Sequence, residues 1–111
     1  MEINLRTSGE VTILDLDGNL IIGSAEEKLR RSVEELVAKD RRYLLINLAN
    51  VPMIDSSGIG GLVKSFTHTK NNGGKFKLLN PTLLAQQLLS ITGLRSVFEI
   101  FDDEAAALAS F

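Results

Sequence analysis

The residues best equipped for chemistry stand in a row, Asp55-Ser56-Ser57, followed by Gly58-Ile59-Gly60-Gly61. A carboxylate beside two hydroxyls suggests three uses: a nucleophile with its base, part of a phosphate-binding loop, or a hydroxyl that is itself modified. A serine nucleophile needs a base within hydrogen-bond reach. The only histidine, His68, falls three turns along the helix that the following residues predict, beyond reach of Ser56. The run from Gly58 to Ser65 comes close to a phosphate-binding loop, but that motif requires Gly-Lys-Ser/Thr, and Val63 precedes Lys64. The absence of cysteine excludes disulfides, thiol catalysis and cysteine-ligated zinc, and a single histidine leaves no metal-ligand spacing. Asp102-Asp103 is explained by a helix start. No catalysis, metal or cofactor is expected of these residues.

The elements around this segment follow from its periodicity. Ile59, Leu62, Val63 and Phe66 recur at helical spacing, so a helix begins near Ser56 or Ser57 and turns that stripe inward. Asp55, Ser56 and Ser57 each suit the helix cap, which needs only one of them. Three glycines within two turns should each cost the helix about 1 kcal/mol relative to alanine. Gly60 and Gly61 fall away from the stripe, which favours a close approach by a partner protein over one from within the domain. A phosphate on Ser56 would meet free amides and the positive end of the helix dipole. It would be tolerated by the fold while adding nearly two negative charges to a surface beside Asp55.

Tyr43–Leu48 is a near-continuous apolar run, as suits a central strand covered on both faces. Val11–Leu16 alternates as a strand, Ile3–Arg6 predicts a short edge strand turned at Ser8-Gly9, and Phe76–Leu79 and Val97–Phe101 complete the set. Ser24-x-x-Glu27 reads as a capping box opening a first helix, with Leu29, Val33, Leu36 and Val37 facing the core. Asn80 as cap and Pro81 at the first helical position open another, with Leu84, Leu88 and Ile91 as its stripe and Gly93 as its stop. A short helix follows Asp102 or Asp103. The alternation predicts an α/β fold with a four- to five-stranded, mostly parallel mixed sheet and about four helices, one domain spanning 1–111.

The 111 residues carry 12 basic and 14 acidic side chains, a net charge of −2, without the concentrated basic face that nucleic-acid binding needs. No apolar run approaches a membrane span, and Met1-Glu2-Ile3-Asn4 lacks a signal-peptide pattern, so a cytoplasmic location without membrane insertion is expected.

Asp55-Ser56-Ser57-Gly58-Ile59-Gly60, preceded by Tyr43–Leu48 and Val51–Ile54, resembles the phosphorylation-site signature of STAS domains of the anti-sigma-factor-antagonist type. The resemblance continues through Asn80-Pro81, Thr92-Gly93-Leu94, Val97–Phe101 and an alanine-rich last helix, covering essentially the whole chain. It implies a STAS-like fold and a protein-binding module. It further implies that Ser56 is phosphorylated by an anti-sigma factor with serine kinase activity, that the unphosphorylated form binds this kinase and frees sigma, and that a cognate phosphatase resets the switch. Ser57 carries over only as a capping residue. One position departs from the family: where its members resemble Gly-Glu-Leu-Asp, with the acid serving kinase recognition, this chain has Gly18-Asn19-Leu20-Ile21. Ile21 and Ile22 are read either as a small apolar contact patch or as core. The expected partner-binding set is thus Asp55, Ser57, Gly58, Gly60, Gly61, Ile21 and Ile22. Two other functions stay open: a STAS scaffold of a transporter-associated or signalling complex without a phospho-switch, and a small nucleotide- or lipid-binding domain.

Overall fold

In the computed structural model, which describes residues 1–111, strands β1 (Glu2–Ser8), β2 (Val11–Asp17), β3 (Tyr43–Asn50), β4 (Lys75–Leu79) and β5 (Ile100–Phe101) form one sheet in the order β1-β2-β3-β4-β5. Helices α1 (Ser24–Ala38), α2 (Ser56–Asn71), α3 (Leu83–Ile91) and α4 (Glu104–Ala109) complete it. β1 and β2 are antiparallel; every other neighbouring pair is parallel. The hairpin turns at Gly9-Glu10, with Gly9 at φ +57° and no positive φ at Glu10, as a type II′ turn requires.

Two cores lie on opposite faces of the sheet. On one, Leu14, Leu16, Leu44, Ile46 and Leu78 meet Leu29 and Val33 of α1, Ile59 and Leu62 of α2, and Ala85 and Leu89 of α3. On the other, Val11, Ile13, Leu45 and Leu79 meet Ala107 of α4, with Tyr43 and Phe111 packed alongside. This double coverage explains the apolar run of β3. It also corrects the alternation read for β2, where Thr12 is buried and its hydroxyl accepts from Arg41 Nε at 2.9 Å.

Two helix starts and one strand depart from expectation. Gly23, not Ser24, is the N-cap of α1; at φ +106° it adopts backbone that favours glycine, and its carbonyl accepts from Glu27 N. Ser24 is therefore already inside the helix and makes no capping box. Asn80 stands at φ +51°, outside α3, and its N–H donates to Phe101 O at 2.8 Å, extending the sheet. Thr82 caps α3 instead, accepting from Ala85 N at 3.3 Å. α3 turns Ala85 and Leu89 onto the sheet with Leu88 packed beside them, so Leu84 and Ile91 of the expected stripe are exposed. Gly93 does stop α3: its N–H donates to Ser90 O and that of Leu94 to Leu89 O, a Schellman motif. The last strand is only Ile100–Phe101, because Arg95–Val97 turns before reaching β4. At α4, Asp103 is the cap, accepting from Ala106 N.

α4 is tied to the sheet by ions as well as apolar contacts. Arg6 donates to both carboxylate oxygens of Asp15 and both of Glu104, and Asn47 Nδ2 donates to Asp15 at 2.8 Å. The Arg6 hydrogen bonds, helped by Asn47, hold the Asp15 carboxyl below the usual carboxylate range against the opposing effect of burial. A depressed folded pKa means the stabilisation is complete above the unfolded value of about 3.9 and is lost as pH falls through the lower folded one. Asp15→Asn is therefore expected to lower the urea midpoint at neutral pH, and the gap to the unmodified chain should close in acid. A gap that stays constant from pH about 5 to about 2 would remove Asp15 ionisation from the account.

Candidate functional site

The loop after β3 and the loop after β2 run side by side at the carboxyl end of the sheet, where open α/β folds place their sites. Leu20 and Ile54 form a parallel bridge; Leu20 N donates to Met53 O at 2.9 Å and Asp55 N to Leu20 O at 3.3 Å. Gly18, at φ +121°, donates to Asn50 O at 3.0 Å and opens this paired track.

Asp55 joins the two loops to the helix. Its Oδ1 accepts from Gly58 N at 2.8 Å, capping α2, and its Oδ2 accepts from Ile22 N at 3.0 Å. These amides, Ile22 first and then Gly58, hold the carboxyl below the usual carboxylate range. Asp55 is thus a brace, fixing Ile21-Ile22 beside the first turn of α2.

With the cap taken by Asp55, neither serine hydroxyl is engaged. Ser56 is exposed at the first position of α2, Ser57 is half-buried, and neither side chain makes a hydrogen bond within the protein. His68 lies twelve residues along α2, about 18 Å at the helical rise, so it cannot serve either serine as a base.

The glycines divide differently from the sequence reading. A Cβ at Gly58 would lie 2.1 Å from the Leu20 carbonyl oxygen and 2.9 Å from Ile54 Cγ1, so this glycine is required by the paired loops. Gly61 is buried rather than outward: a Cβ there would lie 2.7 Å from Glu26 Cγ, whose carboxylate pairs with Arg30 of α1. The inference of a partner from two outward glycines is corrected at Gly61, which lets α1 approach α2. Of the three, Gly60 alone meets nothing within 4 Å and leaves bare backbone at the surface.

Ile21 and Ile22 are exposed at 37% and 75%, which settles their reading as surface rather than core. Met53, at 55%, stands on the adjoining loop. Leu83 and Leu84, also exposed, begin α3, and Thr82 just before them donates to Val51 O at 3.4 Å. The structure thus brings Asp55, Ser56, Ser57, Gly60, Ile21 and Ile22 together and adds Met53, with Leu83 and Leu84 at the same end of the sheet. Sequence reasoning missed the last three: Met53 sits between the buried Val51 and Ile54 and looks like part of that apolar stretch, Leu84 was assigned to the core stripe of α3, and Leu83 was given no role.

A surface of this form, an unused hydroxyl at a helix start with exposed apolar side chains on the neighbouring loops, suits a protein-binding module. The chain belongs to the STAS family, whose domain model matches residues 2–107. A Thermotoga neapolitana protein provisionally named as an anti-sigma factor antagonist is 30% identical over 99 residues, 89% of this chain and 88% of that protein. The anti-sigma F factor antagonist of Paenibacillus polymyxa is 23% identical over 108 residues, 97% of this chain and 92% of that one. The crystal structure of a Thermotoga maritima protein, again provisionally named as an anti-sigma factor antagonist, superposes with a TM-score of 0.90 at 25% identity, covering 97% of this chain and 92% of that one.

Proposed function

We propose that this chain is an anti-sigma factor antagonist acting in the cytoplasm, and that phosphorylation of Ser56 controls it. The unphosphorylated form binds an anti-sigma factor that is also a serine kinase, and a phosphatase restores it. The observation that carries this reading is the division of labour at the α2 start: Asp55 does the capping, so the exposed Ser56 hydroxyl is free to be modified. The curated relatives named as antagonists, matched over nearly their full length, supply the kind of partner.

The binding surface comprises Ser56, Ser57, Gly60, Ile21, Ile22 and Met53, with Asp55 and Gly58 holding it in shape. Apolar residues that are exposed in the free chain lose water on association, and charge placed among them opposes it. Titrating the chain with the histidine-kinase-like anti-sigma factor of its own genome should give saturable one-to-one binding. Ile22→Asp should weaken it at least tenfold without lowering the melting temperature, since Ile22 is already largely in water. Unchanged affinity in that variant would place the partner elsewhere.

A second reading, a STAS scaffold that binds without being modified, is favoured by one observation. Ile21 is exposed where the family resemblance calls for an acid, which makes the loop apolar where a kinase would meet charge. Under that reading the same surface binds, and ATP with the kinase leaves the mass of the chain unchanged.

A further inference from the structure

The two edges of the sheet are treated very differently. The β5 edge is two residues long, whereas β1 runs seven residues along β2 in unbroken register. Long edges are ordinarily guarded by proline, charged side chains, a bulge or a covering element; β1 has no proline, lysine or bulge, and its only charges are the opposite pair Glu2 and Arg6. The tight hairpin turn makes Ser8–Val11 a hydrogen-bonded pair, so Glu2, Asn4, Arg6 and Ser8 bond to β2. The N–H and C=O groups of Ile3, Leu5 and Thr7 consequently face outward. No side chain reaches them, and no turn or loop bond uses them. Leu5 stands on this edge, 54% exposed, on the same face as the partly buried Ile3.

We infer that β1 pairs with β1 of a second copy, antiparallel about a two-fold axis at Asn4, joining two sheets into one of ten strands. The sequence of the edge is self-complementary in that register. Ile3 of one copy faces Leu5 of the other, twice, in hydrogen-bonded pairs that use the outward amides and carbonyls. Glu2 faces Arg6 of the other copy, again twice, and Asn4 faces Asn4. Apolar meets apolar on the face of the larger core and opposite charges meet on the other, the arrangement that stabilises cross-strand pairs. Arg6 Nη1 donates only to Glu104 within its own chain and keeps a second hydrogen for Glu2 of the partner copy. A contact about a two-fold uses the same patch twice and closes, so it yields a dimer and not a filament. The inference uses none of the residues around Ser56 and leaves that surface open.

Sedimentation equilibrium and cysteine cross-linking test it. The chain has no cysteine, so Asn4→Cys introduces a unique thiol. In this register the two Asn4 positions form a non-hydrogen-bonded pair with Cα atoms about 4.5 Å apart, within disulfide range. The unmodified chain should approach twice its 12.1 kDa mass as concentration rises toward about 1 mM, and Leu5→Lys should stay monomeric with an unchanged melting temperature. Asn4→Cys should form a disulfide-linked dimer under mild oxidation at least tenfold faster than Ser8→Cys, whose two copies stand eight residues, about 27 Å, apart in this register. A chain that remains monomeric, a Leu5→Lys variant that associates as well as the parent, or equal cross-linking at positions 4 and 8 would each overturn the inference. If the chain is monomeric and Leu5→Lys instead loses the anti-sigma partner, the edge belongs to that partner and the second copy is excluded.

Discussion

Ser56→Asp is expected to raise the dissociation constant for the anti-sigma partner about a hundredfold, the equivalent of about 2.7 kcal/mol. The hydroxyl lies at the first position of α2 next to Asp55, which holds the loop carrying the exposed Ile21 and Ile22, and Met53 is exposed on the loop before it. A carboxylate there loses its water when those apolar groups close over it, and no cation of this chain is paired with Ser56 to compensate. Burying an unpaired charge at an interface typically costs 2–5 kcal/mol, so a hundredfold lies at the modest end of the range, about 2.7 kcal/mol. The fold should not register the change, because an acid in the first turn of a helix meets the positive end of its dipole. Ser56→Ala should bind as the parent does. Calorimetric titration of the three proteins, with melting curves alongside, separates loss of binding from loss of structure. Equal affinity for Ser56→Asp would remove the switch.

Gly58→Ala is expected to be among the most damaging single substitutions in the chain. The added methyl would lie 2.1 Å from a main-chain carbonyl, that of Leu20, which also accepts the Asp55 N–H. A flexible side chain could move aside; this carbonyl cannot without breaking the track that joins the two loops. Overpacking of this kind costs about 3 kcal/mol, which for a domain of this size lowers the melting temperature by roughly 10–20 °C. Gly60→Ala provides the opposite expectation. Nothing lies within 4 Å of its Cβ, so the helix should gain about 0.5–1 kcal/mol. If Gly60 also touches the partner, that stabilised variant should bind more weakly. Chemical denaturation of both variants is decisive: destabilisation of similar size at 58 and 60 would mean that the division of the glycines is wrong.

The order of elements was legible because it depends on period and punctuation, which are local. The run Tyr43–Leu48, the stripe of α2 and the stop at Gly93 all read correctly, and with them the mixed sheet and four helices. The errors arose where tertiary geometry chose among equivalent local signals. Ser24 and Asn80 are both good caps by type, yet Gly23 and Thr82 take those places. The loops enter α1 through a left-handed glycine, and Asn80 is held in the sheet by Phe101. At the site, the sequence identified the segment but not which of its three polar residues caps the helix. It also could not show that Gly61 serves α1, since the approach of Glu26 comes from thirty-five residues away. Ile21-Ile22 could be core or surface by composition, and only the hydrogen bond from Ile22 N to Asp55 fixes them outside.

The central claim is that Ser56 is the position through which this module is switched. Its most direct test is the intact mass of the chain after incubation with ATP and the anti-sigma kinase of its own genome, beside Ser56→Ala and Ser57→Ala. The account predicts one added phosphate on the parent chain and on Ser57→Ala, and none on Ser56→Ala. A phosphate that persists in Ser56→Ala, or a parent chain whose mass does not change while it binds the kinase, would contradict it.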